Sequence, residues 1–204
     1  MRLSRPAADT SFALTVLGVW FAGALAFGAT GALRGLKSPG PQLITASLAL
    51  LAFVLMTRVS PLREWAARVD LRWFVAFHLT RFSSLYLLVL YDQGELPRAF
   101  ALFGGWAEST AATLAVLLLL FVPVSIRWPD RVLAGAWNAL GLVTIVGTIA
   151  AATAGFGAEP ASMAPLLRLP LSLLPTFLMP LVLATHGFIF LRLRTVVPSR
   201  SLNS

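Results

Sequence analysis

The chain has 204 residues, 58% of them hydrophobic and 12% charged, with a mean hydropathy of +0.83; soluble domains carry roughly 25% charged residues, so a water-soluble fold is excluded. The net charge of +8 comes from basic residues in short loops between apolar runs, not from one basic face, which argues against nucleic acid and for a lipid bilayer as the partner. Cysteine is absent, which excludes disulfides, thiolate metal sites, iron–sulfur clusters and a cysteine nucleophile.

The polar lead of Met1 to Thr10 precedes an apolar run from Ser11 to Leu33. That run exceeds the roughly 7–15 residues of a signal-peptide core and reaches the ~20 needed to span. Ala24 with Gly28 and Gly31 with Gly35 give it a small-residue face for close packing. The turn Lys37-Ser38-Pro39-Gly40-Pro41 ends this first span, and a second follows from Gln42 to Thr57. From Arg58 to Asp70 the texture changes: Leu62, Trp65, Ala66 and Val69 repeat at helical spacing with Arg63, Glu64 and Arg68 off that stripe. This predicts an interfacial amphipathic helix.

The third span runs from Leu71 to Tyr91, and the turn from Asp92 to Arg98 leads to a fourth, Ala99 to Val122. These two carry His78, Arg81 and Glu108. A charge at the bilayer centre costs at least ~2.5–3.5 kcal/mol, so such residues face a bundle interior, a cavity or each other. His78, Arg81 and Ser84 share one face, and Glu108 is flanked at one turn by Gly104, Gly105, Ala111 and Ala112, a groove where another helix can supply a partner. After a basic turn at Ser125 to Arg131, the fifth span, Val132 to Thr153, carries Asn138 between Gly135 and Gly141. Gly155 to Pro165 reads as a loop. The last apolar region is cut by Pro170, Pro175 and Pro180, which predicts a short re-entrant piece to Leu174 and then a span from Thr176 to Leu193 bearing His186.

The expected architecture is therefore an all-α polytopic transmembrane helix bundle of about six spans, one integral membrane domain over residues 1–204. Arg2, Arg5, Arg58, Arg63, Arg68, Arg72, Arg127, Arg131, Arg192, Arg194 and Arg200 fall on one side, against Arg34, Lys37 and Arg98 with Arg168 on the other. Both termini are then cytoplasmic, and the Arg-, Ala- and Leu-rich composition suggests a bacterial inner membrane. Counting residues from the cytoplasmic ends at ~1.5 Å each puts His78, Asn138 and His186 in one layer roughly 9–11 Å deep. Arg81 and Glu108 lie about one turn deeper, where an ion pair between them is the natural compensation.

Two segments, Gly94-Glu95-Leu96-Pro97-Arg98-Ala99-Phe100-Ala101-Leu102-Phe103-Gly104-Gly105-Trp106-Ala107-Glu108 and Ala136-Trp137-Asn138-Ala139-Leu140-Gly141-Leu142, resemble motifs of a group of small bacterial multi-span membrane proteins, usually labelled hypothetical. The resemblance covers about two-thirds of the chain. It implies roles for Arg81, Glu108, Asn138 and His186; it also implies an acidic residue where this chain has Thr144, and gives no counterpart to His78.

Two functional classes follow. In the first, Arg81, Glu108, Asn138, His186 and His78 form a ligand or proton site for binding or transport of a small polar or protonatable ligand, with Glu108 as proton carrier and a second copy of the chain completing the pathway. In the second, His78 and His186 are axial ligands of a b-type haem in electron transfer. A non-catalytic accessory or sensor subunit is a further reading. An intramembrane hydrolase or transferase with Glu108 and His186 as acid and base is also open, but no catalytic signature such as His-Glu-x-x-His or a nucleophile elbow occurs, so the chain reads more as a non-enzyme than as an enzyme, and without a metal site.

Overall fold

The computed structural model describes residues 5–122 and 128–195. It is an all-α bundle in which six helical stretches are long and apolar enough to cross a membrane, and no strand occurs among the described residues. The expected basic turn around residues 125–127, with Arg2 and Arg200, lies outside the described residues.

Helix α1 is Arg5–Thr30. It touches the bundle through a narrow stripe at four-residue spacing that includes Asp9, Ala13, Ala24 and Gly28. A Cβ on Gly28 would sit 2.6 Å from Ser172 Oγ, so the Ala24–Gly28 face does pack closely. The Gly31–Gly35 step does not: Gly31 adopts φ 70° just after α1, and a Cβ on Gly35 would meet nothing within 4 Å. Gly31 is thus the left-handed residue that terminates the helix.

Helix α2 is Gly40–Arg58 and the short α3 is Ser60–Arg68. On α3, Leu62 and Ala66 are buried while Arg63 and Arg68 are exposed, as the amphipathic pattern predicts. Arg68 pairs with Asp9 of α1, and Arg192 donates to the α3-end carbonyls of Ala66 and Val69. These charge-assisted bonds tie three segments at one end of the bundle.

The third span, expected as a continuous α-helix, is broken. Helix α4 (Leu71–Phe77) gives way to a 3-10 segment, His78–Ser84, before α5 (Leu85–Asp92) resumes. With three residues per turn, side chains at i, i+3 and i+6 eclipse. His78, Arg81 and Ser84 are the buried residues of that segment, so the tighter winding lines all three up on one edge.

Helix α6 is Arg98–Phe121. Helix α7, Trp128–Ala158, is 31 residues long and runs past the expected end at Thr153, because Ala150 to Ala154 favours continuation and the first proline is Pro160. The final region resembles the expected broken segment: a 3-10 turn at Ala164–Leu167, a π turn at Leu174–Leu178, then α8, Met179–Thr195.

Pro180 shows why this break is tolerated in lipid. It has no N–H, so the carbonyls of Pro175 and Thr176 lack the donor it would have supplied in π or α register. Thr45 Oγ1 donates to the Pro175 carbonyl at 3.0 Å and Trp20 Nε1 to the Thr176 carbonyl at 2.9 Å. Neighbouring helices thereby meet the backbone valence that the bilayer cannot.

The major packed pairs are α6 with α7, α6 with the 3-10 segment, and α2 with α8. Two apolar clusters fill the interior. One contains Phe74, Val75, Leu118, Trp137 and Ile189, the other Leu87, Leu90, Phe100, Met163 and Leu171. Along the third span and α6, the polar residues fall between the positions that supply these two clusters.

Candidate functional site: a buried arginine–glutamate centre

Arg81 and Glu108 meet as expected. Arg81 Nε donates to Glu108 Oε2 at 2.8 Å, with the two residues 4% and 5% exposed. At that burial each charge needs the other, since an orphaned ion in low dielectric costs several kcal/mol. The approach is set by glycine: a Cβ on Gly105 would stand 2.4 Å from Leu88 Cδ2, and one on Gly104 3.2 Å from Leu87 and Thr148. Only small residues let the third span and α7 come this close to α6. Ser84 Oγ adds a bond to the Gly105 carbonyl at 3.2 Å.

The rest of the guanidinium is held by α7 and α8. Nη2 donates to the Gly141 carbonyl at 3.1 Å and to Thr144 Oγ1 at 2.5 Å, and Nη1 lies 3.2 Å from His186 Nε2. Arginine has no acceptor, so His186 Nε2 accepts, which places the ring proton on Nδ1. Nδ1 is 2.8 Å from Asn138 Oδ1, while Asn138 Nδ2 donates to the His186 carbonyl at 3.0 Å. One asparagine side chain thus fixes both the ring and the backbone of His186. On the far side of the carboxylate, Thr148 Oγ1 donates to Glu108 Oε1 at 2.8 Å.

Trp137 donates to the Ala111 carbonyl at 3.0 Å and packs its ring edge-on to His78, Asn138 holds His186, and Gly141 leaves room. A Cβ on Gly141 would lie 2.7 Å from His186 Cε1 and 2.9 Å from Arg81 Nη1.

His78 is wholly buried, with its ring centroid 4.3 Å from that of His186 and Nε2 3.2 Å from Thr185 Oγ1. Its Nδ1 has no hydrogen-bond partner. Axial haem ligation needs an iron and a porphyrin plane between two imidazoles. Rings already in contact, with one Nε2 taken by Arg81 and the other by Thr185, leave no space for that plane; the arrangement does not fit a bis-His haem.

A cavity of about 40 Å³ opens against Arg81, Glu108, Thr148, Thr80, Ser83 and Ser84. At ~30 Å³ per water it holds about one or two waters. Of the five residues expected to line a site, Arg81 and Glu108 reach it. Asn138 and His186 stand behind Arg81 and position it, and His78 packs behind His186. Thr144, Thr148 and the Gly141 carbonyl are members of the site that the sequence reasoning did not choose. Their signal was a stripe on α7: Asn138, Gly141, Thr144 and Thr148 recur at helical spacing. Thr144, where the resemblance implied an acid, supplies Arg81 with a neutral acceptor. No group of three or more His, Asp or Glu able to hold a metal ion occurs among the described residues.

A family model described as a domain of unknown function, DUF8737, matches residues 38–194. The chain belongs to the DUF8737 family. The matched region holds every residue of the Arg81–Glu108 network, while α1, including the Trp20 that serves the break at Pro180, lies outside it. No curated protein and no solved structure matches this DUF8737 chain.

Proposed function

We propose that this multi-pass membrane protein binds, and passes across the bilayer, a small polar or protonatable ligand at Arg81 and Glu108. The membrane is a bacterial inner membrane and both termini face the cytoplasm, as the Lys/Arg bias supports. The observation that carries the reading is the cavity of about 40 Å³ with both charged groups on its wall. A pair that only fixed helix packing would gain nothing from it. Glu108 is held to Arg81 by a single bond from Nε, so once another group meets the guanidinium, taking up a proton and letting go breaks one contact, and Thr148 retains the other oxygen.

A purely structural role for the network, in an accessory or sensor subunit, has one observation in its favour. Of the five N–H groups of a guanidinium, four of Arg81 already meet protein acceptors.

Proteoliposomes loaded with a pH-reporting dye and given an inward proton gradient, with a salt of a small monovalent anion outside, separate the two. The proposal expects proton entry above that of protein-free vesicles, lost in Glu108→Gln. Flux equal to the protein-free leak, or unchanged in the variant, contradicts it and favours the structural reading. A reporter fused after Ser204 and active only in the cytoplasm checks the orientation.

A further inference from the structure

Three cavities lie in a row between one face of the bundle and Arg81. The outermost, about 580 Å³, lies between the α1–α2 connection and the residues after α7, and is lined by Arg34, Lys37 and Arg168 with no acidic residue on its wall. It shares Phe156 and Leu167 with a second cavity of about 50 Å³, which in turn shares Phe100, Leu174 and Met179 with the one at Arg81 and Glu108. Gln42 lines the middle cavity, and both polar atoms of its amide are buried without a partner. Buried amides are ordinarily satisfied; one left open beside a cavity offers donors to something that passes. The π turn Leu174–Leu178 borders both inner cavities, and such turns are common at functional sites.

We propose that the Arg34–Lys37–Arg168 vestibule takes up a small free anion, which moves past Gln42 to Arg81 together with one proton taken by Glu108. This rests on the reading of the Arg81–Glu108 cavity as a ligand site and names its substrate class. Three cations around one mouth concentrate anions. The inner cavities, about 40 and 50 Å³, limit the anion to a few heavy atoms and exclude a lipid headgroup from the route. Charge balance supplies the proton. Arg81 is permanently cationic and needs one negative partner in this dry site; Glu108 provides it now, and Thr144 and Thr148 are neutral. When an anion takes that place, Glu108 must lose its charge, and binding a proton is the way a carboxylate does so. The stoichiometry is then one proton per monovalent anion.

Nitrate, a compact monovalent anion, is the probe. The full chain in neutral-lipid nanodiscs is titrated with nitrate by calorimetry, and proton uptake is followed in weakly buffered solution at mildly acidic pH. The expected result is saturable binding with about one proton taken up per nitrate. Replacing Arg34, Lys37 and Arg168 together with Gln, all exposed positions, should weaken binding by about tenfold or more. Glu108→Gln should bind nitrate without proton uptake. Absence of nitrate binding, binding without proton uptake by the wild type, or an unaffected vestibule variant would each overturn the proposal. So would loss of binding when anionic phosphatidylglycerol replaces neutral lipid, which would assign the vestibule to headgroups. Glu108-dependent proton flux with no nitrate response removes this inference and leaves the function reading standing; the absence of both removes both.

Discussion

His186 Nε2 lies 3.2 Å from Arg81 Nη1, and because a guanidinium only donates, the imidazole is a neutral acceptor there with its proton on Nδ1 toward Asn138. Asn138→Leu removes the acceptor of that proton and the donor to the His186 carbonyl at once. Leaving one or two buried groups unpaired should cost about 1–3 kcal/mol each. Nitrogen NMR of labelled histidine should show the Nδ1–H tautomer at His186 in the wild type and a changed signal in Asn138→Leu; an Nε2–H tautomer in the wild type would contradict the assignment.

The two histidines should not be equivalent. His186 bonds to Arg81 and Asn138, whereas His78 makes one side-chain bond, to Thr185, and has an unpartnered Nδ1. His78→Phe keeps the aromatic packing against Trp137 and removes an unsatisfied atom, so it should change stability by less than about 1 kcal/mol. His186→Phe strips a hydrogen bond from Arg81 and one from Asn138 and should cost about 2–4 kcal/mol. Unfolding in mixed detergent micelles ranks the two, and equal losses would show that His78 carries more than its contacts indicate.

Gly141 is required for space. A methyl there must displace His186 or Arg81, whose atoms would lie at 2.7 Å and 2.9 Å, and overpacking of this kind costs about 1–3 kcal/mol. Gly141→Ala should therefore destabilise, while Gly23→Ala, where a Cβ meets nothing within 4 Å, should be close to neutral in the same assay.

The break at Pro180 gives a paired test. Trp20→Phe leaves the Thr176 carbonyl without its indole donor and should cost about 1 kcal/mol. With Pro180→Ala in the background an N–H returns to that turn, and the cost of Trp20→Phe should shrink. Equal costs in both backgrounds would mean that the indole bond does not compensate for the proline.

Much of this site was legible because charge in lipid is so costly that position alone identifies the partners. Counting depth along each helix put Arg81 level with Glu108 and His78, Asn138 and His186 in one layer, and the structure pairs the first two at 2.8 Å and places Asn138 and His78 against His186. The threonines were legible only by register. Thr57, Thr113 and Thr153 bond back to carbonyls one turn earlier, as hydroxyls in apolar helices generally do, and only the helical spacing from Asn138 and Gly141 separates Thr144 and Thr148 from them. The 3-10 segment was not legible, since Leu79, Thr80, Phe82 and Ser83 carry no glycine or proline to mark it. The tighter winding shows only in how His78, Arg81 and Ser84 meet α6, α7 and α8, which is a tertiary fact.

Arg81 and Glu108 compensate one another inside the membrane, so that the charge state of one decides the energy of the other. A double-mutant cycle in reversible micelle unfolding measures this directly. Arg81→Met and Glu108→Gln should each cost about 3–5 kcal/mol by orphaning a buried charge, and the double variant should cost much less than their sum. Additive losses would show that the two charges do not depend on each other and would contradict the account.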